Sequence, residues 1–511
     1  MNGSKQIKLG ALFSYFAIAF NMLAGLLYTP WMISQIGQSS YGLYTLATSL
    51  ITMFVMDFGM SAAVTRFVSK YNAEGEQQKV NDFLGVVYKL YLVIDVVIFL
   101  VLVVVYFFID SVYTQLTSEE LEVFKVLYVI VGLFSVISFP FTNLNGILNA
   151  HEKFVELKGC DLFHKVFIIA AMVVCLLLGY GVYALVLVNA VAGLLTIAIK
   201  LFLIRRNTKV RVNFRYFDKG LLREIFGFSL WTTVGSLAQR LIFNITPSII
   251  AAVSATGSVG VAVFGLASTI EGYVYTFATA INGMFMPRIA RIVHDGKREE
   301  ELMPLMIRIG RIQCMIIGLL VVGFIAVGKS FIVDIWNKAD FVDSYLCAVL
   351  LIIPSFFYLP MQIANTTLIV ENKVKLQAGV FVVMGVTNIV FSLGLSHYFG
   401  ALGASLSIFI AYMVRTILMG VIYQRVLKLD MARFAKRTFG ALSPYLFLTL
   451  LVGLLAEYIN PITNRYLRFG VNGLLIVTVF AALMLLFGMN AYEKELLFGT
   501  VKKAWHKLVR R

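Results

Sequence analysis

The sequence predicts an all-α polytopic membrane protein with about fourteen transmembrane helices. It predicts two six-helix bundles in a parallel internal repeat, plus two C-terminal helices. Three observations carry this reading: an apolar excess spread along the whole chain, an alternation of basic residues between successive apolar runs, and self-similarity at one offset. Of the 511 residues, 60% are apolar and 14% charged. Mean hydropathy is +0.86. Soluble domains sit near 45–50% apolar and about 25% charged, and a soluble chain this long would show polar linkers between domains.

Runs of about 20 apolar residues suffice to cross the hydrocarbon core. They fall near 9–34, 41–66, 83–108, 121–148, 161–179, 182–204, 225–253, 260–286, 305–328, 345–370, 374–396, 402–424, 440–457 and 467–488. The weakest is 161–179, which begins with Asp161, His164 and Lys165. The first run follows Lys5 and Lys8 but is too long for a signal-peptide core and has no small-residue cleavage site, so it reads as a retained span.

Charge position divides the chain in the same way. With a cytoplasmic N-terminus, the inward side takes Lys5 and Lys8, Arg66 to Lys89, Lys153 to Lys165, Lys200 to Arg223, Arg288 to Arg311, Lys373 and Lys375, Arg425 to Arg437, and Lys494 to Arg511. Only Lys125, Lys329, Lys338, Arg465 and Arg468 fall outside, with Arg240 and Arg415 inside spans. That is the positive-inside pattern, and an even number of crossings puts both termini in the cytoplasm. The net charge of +16 is therefore a topology signal, with attraction to anionic headgroups added. It does not point to nucleic acid.

The repeat runs at an offset near 217–222 residues. Thr29-Pro30 and Thr246-Pro247 close the first and seventh spans, and LATSL (46–50) matches LASTI (266–270). Arg66 and Arg288 fall in register, and ILNAHEKF (147–154) matches LIVENKVK (368–375). Six spans separate the copies, so both keep one orientation, as in many secondary transporters. The expected domains are 1–204, a basic connection 205–224, 225–424, and the two added helices with a basic tail, 425–511.

Chemistry-bearing motifs are sparse. Gly323 to Ser330 spells GxxxxGKS, but a phosphate-binding loop must follow a strand and open a helix; here the match closes an apolar span. Cys160, Cys175, Cys314 and Cys347 have no metal or redox spacing and read as small buried side chains. No HExxH, GxSxG or clustered histidines occur, so no catalytic residues, metal or cofactor are expected. Charges inside spans carry more weight, because each is costly in hydrocarbon unless partnered or facing a wet cavity.

Ser229, Thr233, Ser236, Arg240, Asn244 and Pro247 recur at steps of three or four and share one face of the seventh span. Ser268, Glu271, Tyr275, Thr279 and Asn282 do the same on the eighth. Arg240 and Glu271 lie at similar depth and form either a structural ion pair or two walls of a substrate cavity. Asp57, Asp95 and Glu271 are coupling-site candidates for a proton or sodium ion. Lys89 and Arg415 lie near the inner face and are expected to snorkel. Pro354 and Pro360 should kink the tenth span, and Asn21, Asn365 and Asn388 read equally as helix–helix glue or ligand contacts.

The segments YGLYTLATSLITMFVMDFGMSAAVTRFVSKY (41–71), NGILNAHEKF (145–154) and PRIARIVHDGKREEEL (287–302) resemble the polysaccharide transporter, or oligosaccharide flippase, family. That family belongs to the multidrug/oligosaccharidyl-lipid/polysaccharide exporter superfamily, which also holds the multidrug and toxin extrusion proteins and the lipid II flippases. The resemblance implies two bundles around a central cavity that opens alternately to either face. It also implies a polyprenyl-diphosphate-linked oligosaccharide as substrate, for O-antigen, capsule, exopolysaccharide or teichoic-type polymers. Polymerases and glycosyltransferases of the same pathway are then the implied partners. The rival readings are a cation-coupled multidrug exporter of the same fold and a membrane enzyme of polymer assembly.

Overall fold

The computed structural model describes residues 3–55, 59–279, 285–336, 338–496 and 499. Asp57 and Asn282, both named above, lie outside the described residues. All regular structure among the described residues is helical. Eleven helices there are long and apolar enough to cross a membrane, against about fourteen expected from the apolar runs. The three not counted are 9–34, which lies within the helix Gly3–Ile36, and two with local reasons. The expected spans 374–396 and 402–424 lie in one 52-residue helix, Val374–Arg425, broken at Gly400. The expected span 41–66 is interrupted after Phe54 and resumes at Met60.

The chain forms two compact units, residues 1–265 with 374–411, and residues 266–373 with 412–511. The first unit holds α1 (Gly3–Ile36), α2 (Gln38–Phe54), α3 (Met60–Ala73), α4 (Gln77–Val112), α5 (Ser118–Ser138), α6 (Leu144–Ala150), α7 (Phe154–Leu177), α8 (Val182–Asn207) and α9 (Lys219–Val253). Within it α7 packs on α1 and α8, α3 on α6, and α2 on both α5 and α9. Thr117 caps α5 by accepting from the Glu120 backbone N–H, and the Glu120 carboxylate accepts from the Thr117 N–H in return. Large apolar side chains along α4 stay exposed, from Val93 to Phe107 at 75%. A soluble fold would cover them; a bilayer does so here.

The second unit holds most of α10 (Gly257–Thr279), then α11 (Met286–His294), α12 (Met303–Ser330), α13 (Asp343–Tyr358) and α14 (Gln362–Val370). After α15 (Val374–Arg425), whose last turns belong to this unit, come α16 (Met431–Ala435), α17 (Ala441–Ile459) and α18 (Arg465–Leu483). Its centre is α12, which packs against α13, α17 and α18. Cys314, Met315, Val322, Leu442, Leu446, Phe480 and Met484 form the shared core. Gly318 lies under the Leu446 side chain and Gly453 against Ala326, the small-residue contacts that let membrane helices approach. Cys160, Cys314 and Cys347 are buried free thiols and Cys175 is half-buried.

The internal repeat is written in the backbone more sharply than in the side chains. Positive φ angles occur at Gly37 and Gly257, Gly75 and Gly296, Glu152 and Asn372, and Gly179 and Gly400. Each pair is 220 or 221 residues apart. The 3₁₀ turns Phe139–Phe141 and Leu359–Met361 keep the same offset, with Pro140 and Pro360 at matching positions. Pro360 thus makes a turn between α13 and α14, whereas Pro354 lies inside α13. Pro30 and Pro247 both lie inside helices; the Thr246 hydroxyl donates to the Ile242 carbonyl at 2.5 Å, one turn back.

Candidate functional site

The polar face proposed for the seventh span lies on α9, in the first unit. Ser236 and Arg240 are exposed and Asn244 is half-buried. The Arg240 Nη1 donates to the Thr52 carbonyl at 3.3 Å, which ties the guanidinium to α2. The opposite face of α9 makes the packing. Asn388 is fully buried and its amide donates to the Ile242 carbonyl and to Thr246 Oγ1, each at 3.3 Å, so this asparagine acts as helix glue.

Asp95, the other coupling candidate of this unit, sits midway along α4 and is half-buried. Its Oδ1 is shielded and has no hydrogen-bond partner, the condition under which a carboxylate takes up a proton or a cation. Lys89, expected to snorkel, reaches past its helix to the Tyr216 carbonyl at 3.0 Å and lies 5.6 Å from the Phe217 ring. The basic connection 205–224 is pinned to the start of α4: Asn213 N–H donates to Asn81 O at 3.1 Å and its amide to Asp82 at 2.6 Å.

In the second unit Glu271 is buried on α10, while Tyr275, one turn on, is exposed. Arg415 was expected to snorkel toward water. It is instead buried, with its guanidinium 4.4 Å from the Tyr358 ring centroid and 5.8 Å from Tyr412. The two tyrosine rings lie 5.1 Å apart. Glu271, Tyr275 and Arg415 all act electrostatically on Tyr412. Cation–π contacts are worth about 2 kcal/mol or more where desolvated, so aromatic packing replaces the solvent that snorkelling would have supplied. Sequence reasoning missed this cluster: Tyr412 and Arg415 are one turn apart on α15, but Tyr358 comes from α13 and no local spacing links it to them.

The phosphate-loop match lies in continuous helix, with Lys329 and Ser330 in the last turn of α12, and the Ser330 hydroxyl donates to Glu457. No backbone cradle for phosphate exists there.

The family model for polysaccharide biosynthesis proteins matches residues 8–293. The chain belongs to that family. No protein of described function matches at the sequence level. Solved structures show the fold. A lipid II flippase, MurJ, in an inward closed conformation aligns with TM-score 0.70 at 15% identity, covering 92% of this chain and 97% of its own. An inward-facing MATE-family multidrug resistance transporter of the MOP superfamily aligns with TM-score 0.63 at 17% identity, over 80% of this chain and 96% of its own. A MOP superfamily transporter from Pyrococcus furiosus aligns with TM-score 0.57 at 16% identity, over 86% and 97%. This member of the polysaccharide biosynthesis family is therefore a membrane protein with the fold shared by MurJ and the MATE transporters.

Proposed function

We propose that this protein is a flippase that moves polyprenyl-diphosphate-linked oligosaccharide repeat units across the bacterial cytoplasmic membrane by alternating access. One conjunction supports the reading: a polysaccharide-biosynthesis family on a fold that runs along nearly all of a lipid flippase. The physical task fits that fold. A sugar diphosphate cannot shed its water in hydrocarbon, so polar and cationic side chains must replace that water while the polyprenyl tail stays in the bilayer.

Arg240 is the proposed diphosphate contact, because a planar guanidinium binds phosphate oxygens in bidentate fashion. Ser236, Asn244, Glu271, Tyr275 and Asn282 are proposed as further cavity residues. Asp57, Asp95 and Glu271 are proposed as proton or sodium sites. The proposed domains are the two six-helix bundles 1–204 and 225–424, joined by 205–224 and followed by 425–511, with both termini in the cytoplasm. O-antigen, capsule or exopolysaccharide assembly would supply the substrate through glycosyltransferases and consume it through a polymerase.

The test is export of lipid-linked oligosaccharide in cells lacking the native protein, at matched expression. Arg240→Ala should nearly abolish export, and Arg240→Lys, which keeps charge but loses the fork, should lower it partially. Export unchanged by Arg240→Ala would remove this residue from the site. The shielded oxygen of Asp95 favours, as a second reading, cation-coupled export of small drugs. Dye efflux without oligosaccharide export would select it.

A further inference from the structure

A cleft of about 840 Å³ opens in the second unit between α12, α16 and the segment after α18. Its rim carries Arg433, Lys436 and Arg437, all exposed. None of the three forms an ion pair among the described residues. The other charges at the cleft are already committed. Arg311 is held by the Glu493 carboxylate at 2.5 and 3.0 Å. Asp430 Oδ1 caps α16 by accepting the Arg433 N–H at 2.8 Å. Three cations against one carboxylate leave the rim positive.

Two features say what kind of anion belongs there. The cations sit within two turns of Ala441, where the apolar helix α17 begins. Beyond them the surface turns apolar and open, with Phe447 at 61% and Leu486 and Phe487 at 68% and 65% exposed. A ligand with an anionic phosphate head and hydrocarbon tails satisfies both; a free phosphate satisfies only the first. Basic pockets at the ends of membrane helices are suited to such headgroups.

We propose that this cleft is a binding site for an anionic phospholipid, with Arg433, Lys436 and Arg437 on the headgroup phosphate and the acyl chains along α17 and the end of α18. A lipid seated there would hold α17 and α18 on α12, since Arg437 also supplies the carbonyl that accepts from Arg311 Nη1 at 2.9 Å. The cleft shares no residue with those proposed for the transported substrate, and its lipid would bind whatever that substrate is.

The test uses the purified full-length chain in zwitterionic detergent, titrated with phosphatidylglycerol, phosphatidylcholine or inorganic phosphate. Melting is followed by tryptophan fluorescence and bound lipid is counted by native mass spectrometry. Phosphatidylglycerol should raise the melting temperature saturably, and phosphatidylcholine should not. Each Arg→Gln or Lys→Gln change at the rim should weaken the apparent affinity about fivefold, and the triple change about a hundredfold. A control triple change, Arg205→Gln, Arg206→Gln and Lys209→Gln, should leave it within about twofold. Equal loss in the control, retention in the rim triple, or equal stabilisation by inorganic phosphate alone would each overturn the lipid site. If the triple variant does not fold, Lys436→Gln alone decides by the lipid count.

Discussion

Removing the Arg311 side chain tests how the two added helices are fastened. Four bonds converge on its guanidinium. Nε and Nη2 donate to the two Glu493 carboxylate oxygens at 2.5 and 3.0 Å, Nη1 to the Arg437 carbonyl at 2.9 Å, and Nη2 to the Gly488 carbonyl at 2.6 Å. Arg311 is 7% and Glu493 3% exposed, so solvent screens little of this. Breaking one side of a buried pair strands the other charge and costs about 3–5 kcal/mol, whereas replacing both by apolar groups is often near neutral. Here the double change has its own cost. Glu493 Oε2 also accepts the Asn490 N–H at 2.9 Å, and Asn490 caps in return, an arrangement worth about 1 kcal/mol.

The expectation is therefore a loss of about 3–5 kcal/mol for Arg311→Ala. For Arg311→Met with Glu493→Leu it is about 1 kcal/mol. Reversible denaturant unfolding in mixed micelles, followed by tryptophan fluorescence, measures both. A loss below about 1 kcal/mol in the single variant, or a double variant as unstable as the single, would refute the assignment.

Three further outcomes are expected. Gly42→Ala should abolish folded expression, because its Cβ would stand 1.9 Å from the Ser258 carbonyl oxygen, while Gly379→Ala, with nothing within 4 Å, should be tolerated; size-exclusion profiles of tagged protein distinguish them. Asp95→Asn, Asp57→Asn or Glu271→Gln should uncouple transport from the ion gradient in at least one case, and full gradient dependence in all three would end carboxylate coupling. For topology, cysteines at the exposed positions Ala255 and Asp340 should react with an impermeant thiol reagent in intact cells, and those at Arg215 and Lys297 should not; labelling at 215 would invert the orientation.

Different parts of the molecule were legible in the sequence to different degrees, for physical reasons. Membrane helices announce themselves because lipid imposes one composition over some twenty residues. The repeat showed through Thr-Pro pairs because proline fixes φ and recurs where the backbone must bend. Its firmer marks were hidden, since Glu152 and Asn372 meet the same left-handed requirement with unrelated side chains. The polar face of Ser236, Arg240 and Asn244 follows from helical period alone. The partners of Arg311 and Arg415 do not, because the distance from 311 to 493 and the meeting of α13 and α15 that brings Tyr358 to Arg415 are tertiary facts. Arg311 reads in the sequence as one more inward cation, and only its burial reveals a fastener.

Gly400 joins two long helices with no loop at all: its φ is 56° and ψ −133°, and the helix resumes at once. A Cβ on Gly403 would fall 2.0 Å from the Leu395 carbonyl oxygen, so the two arms touch backbone to backbone at the bend. The sequence suggests a short connection at 397–401, an inviting place for an epitope tag or a reporter fusion. The geometry says otherwise. There is no slack there to absorb added residues, and any insertion would pry the arms apart and carry the strain into both helices. Splice sites for engineering this chain belong at the exposed Ala339 and Asp340, in the single 3₁₀ turn Ala339–Phe341 between α12 and α13.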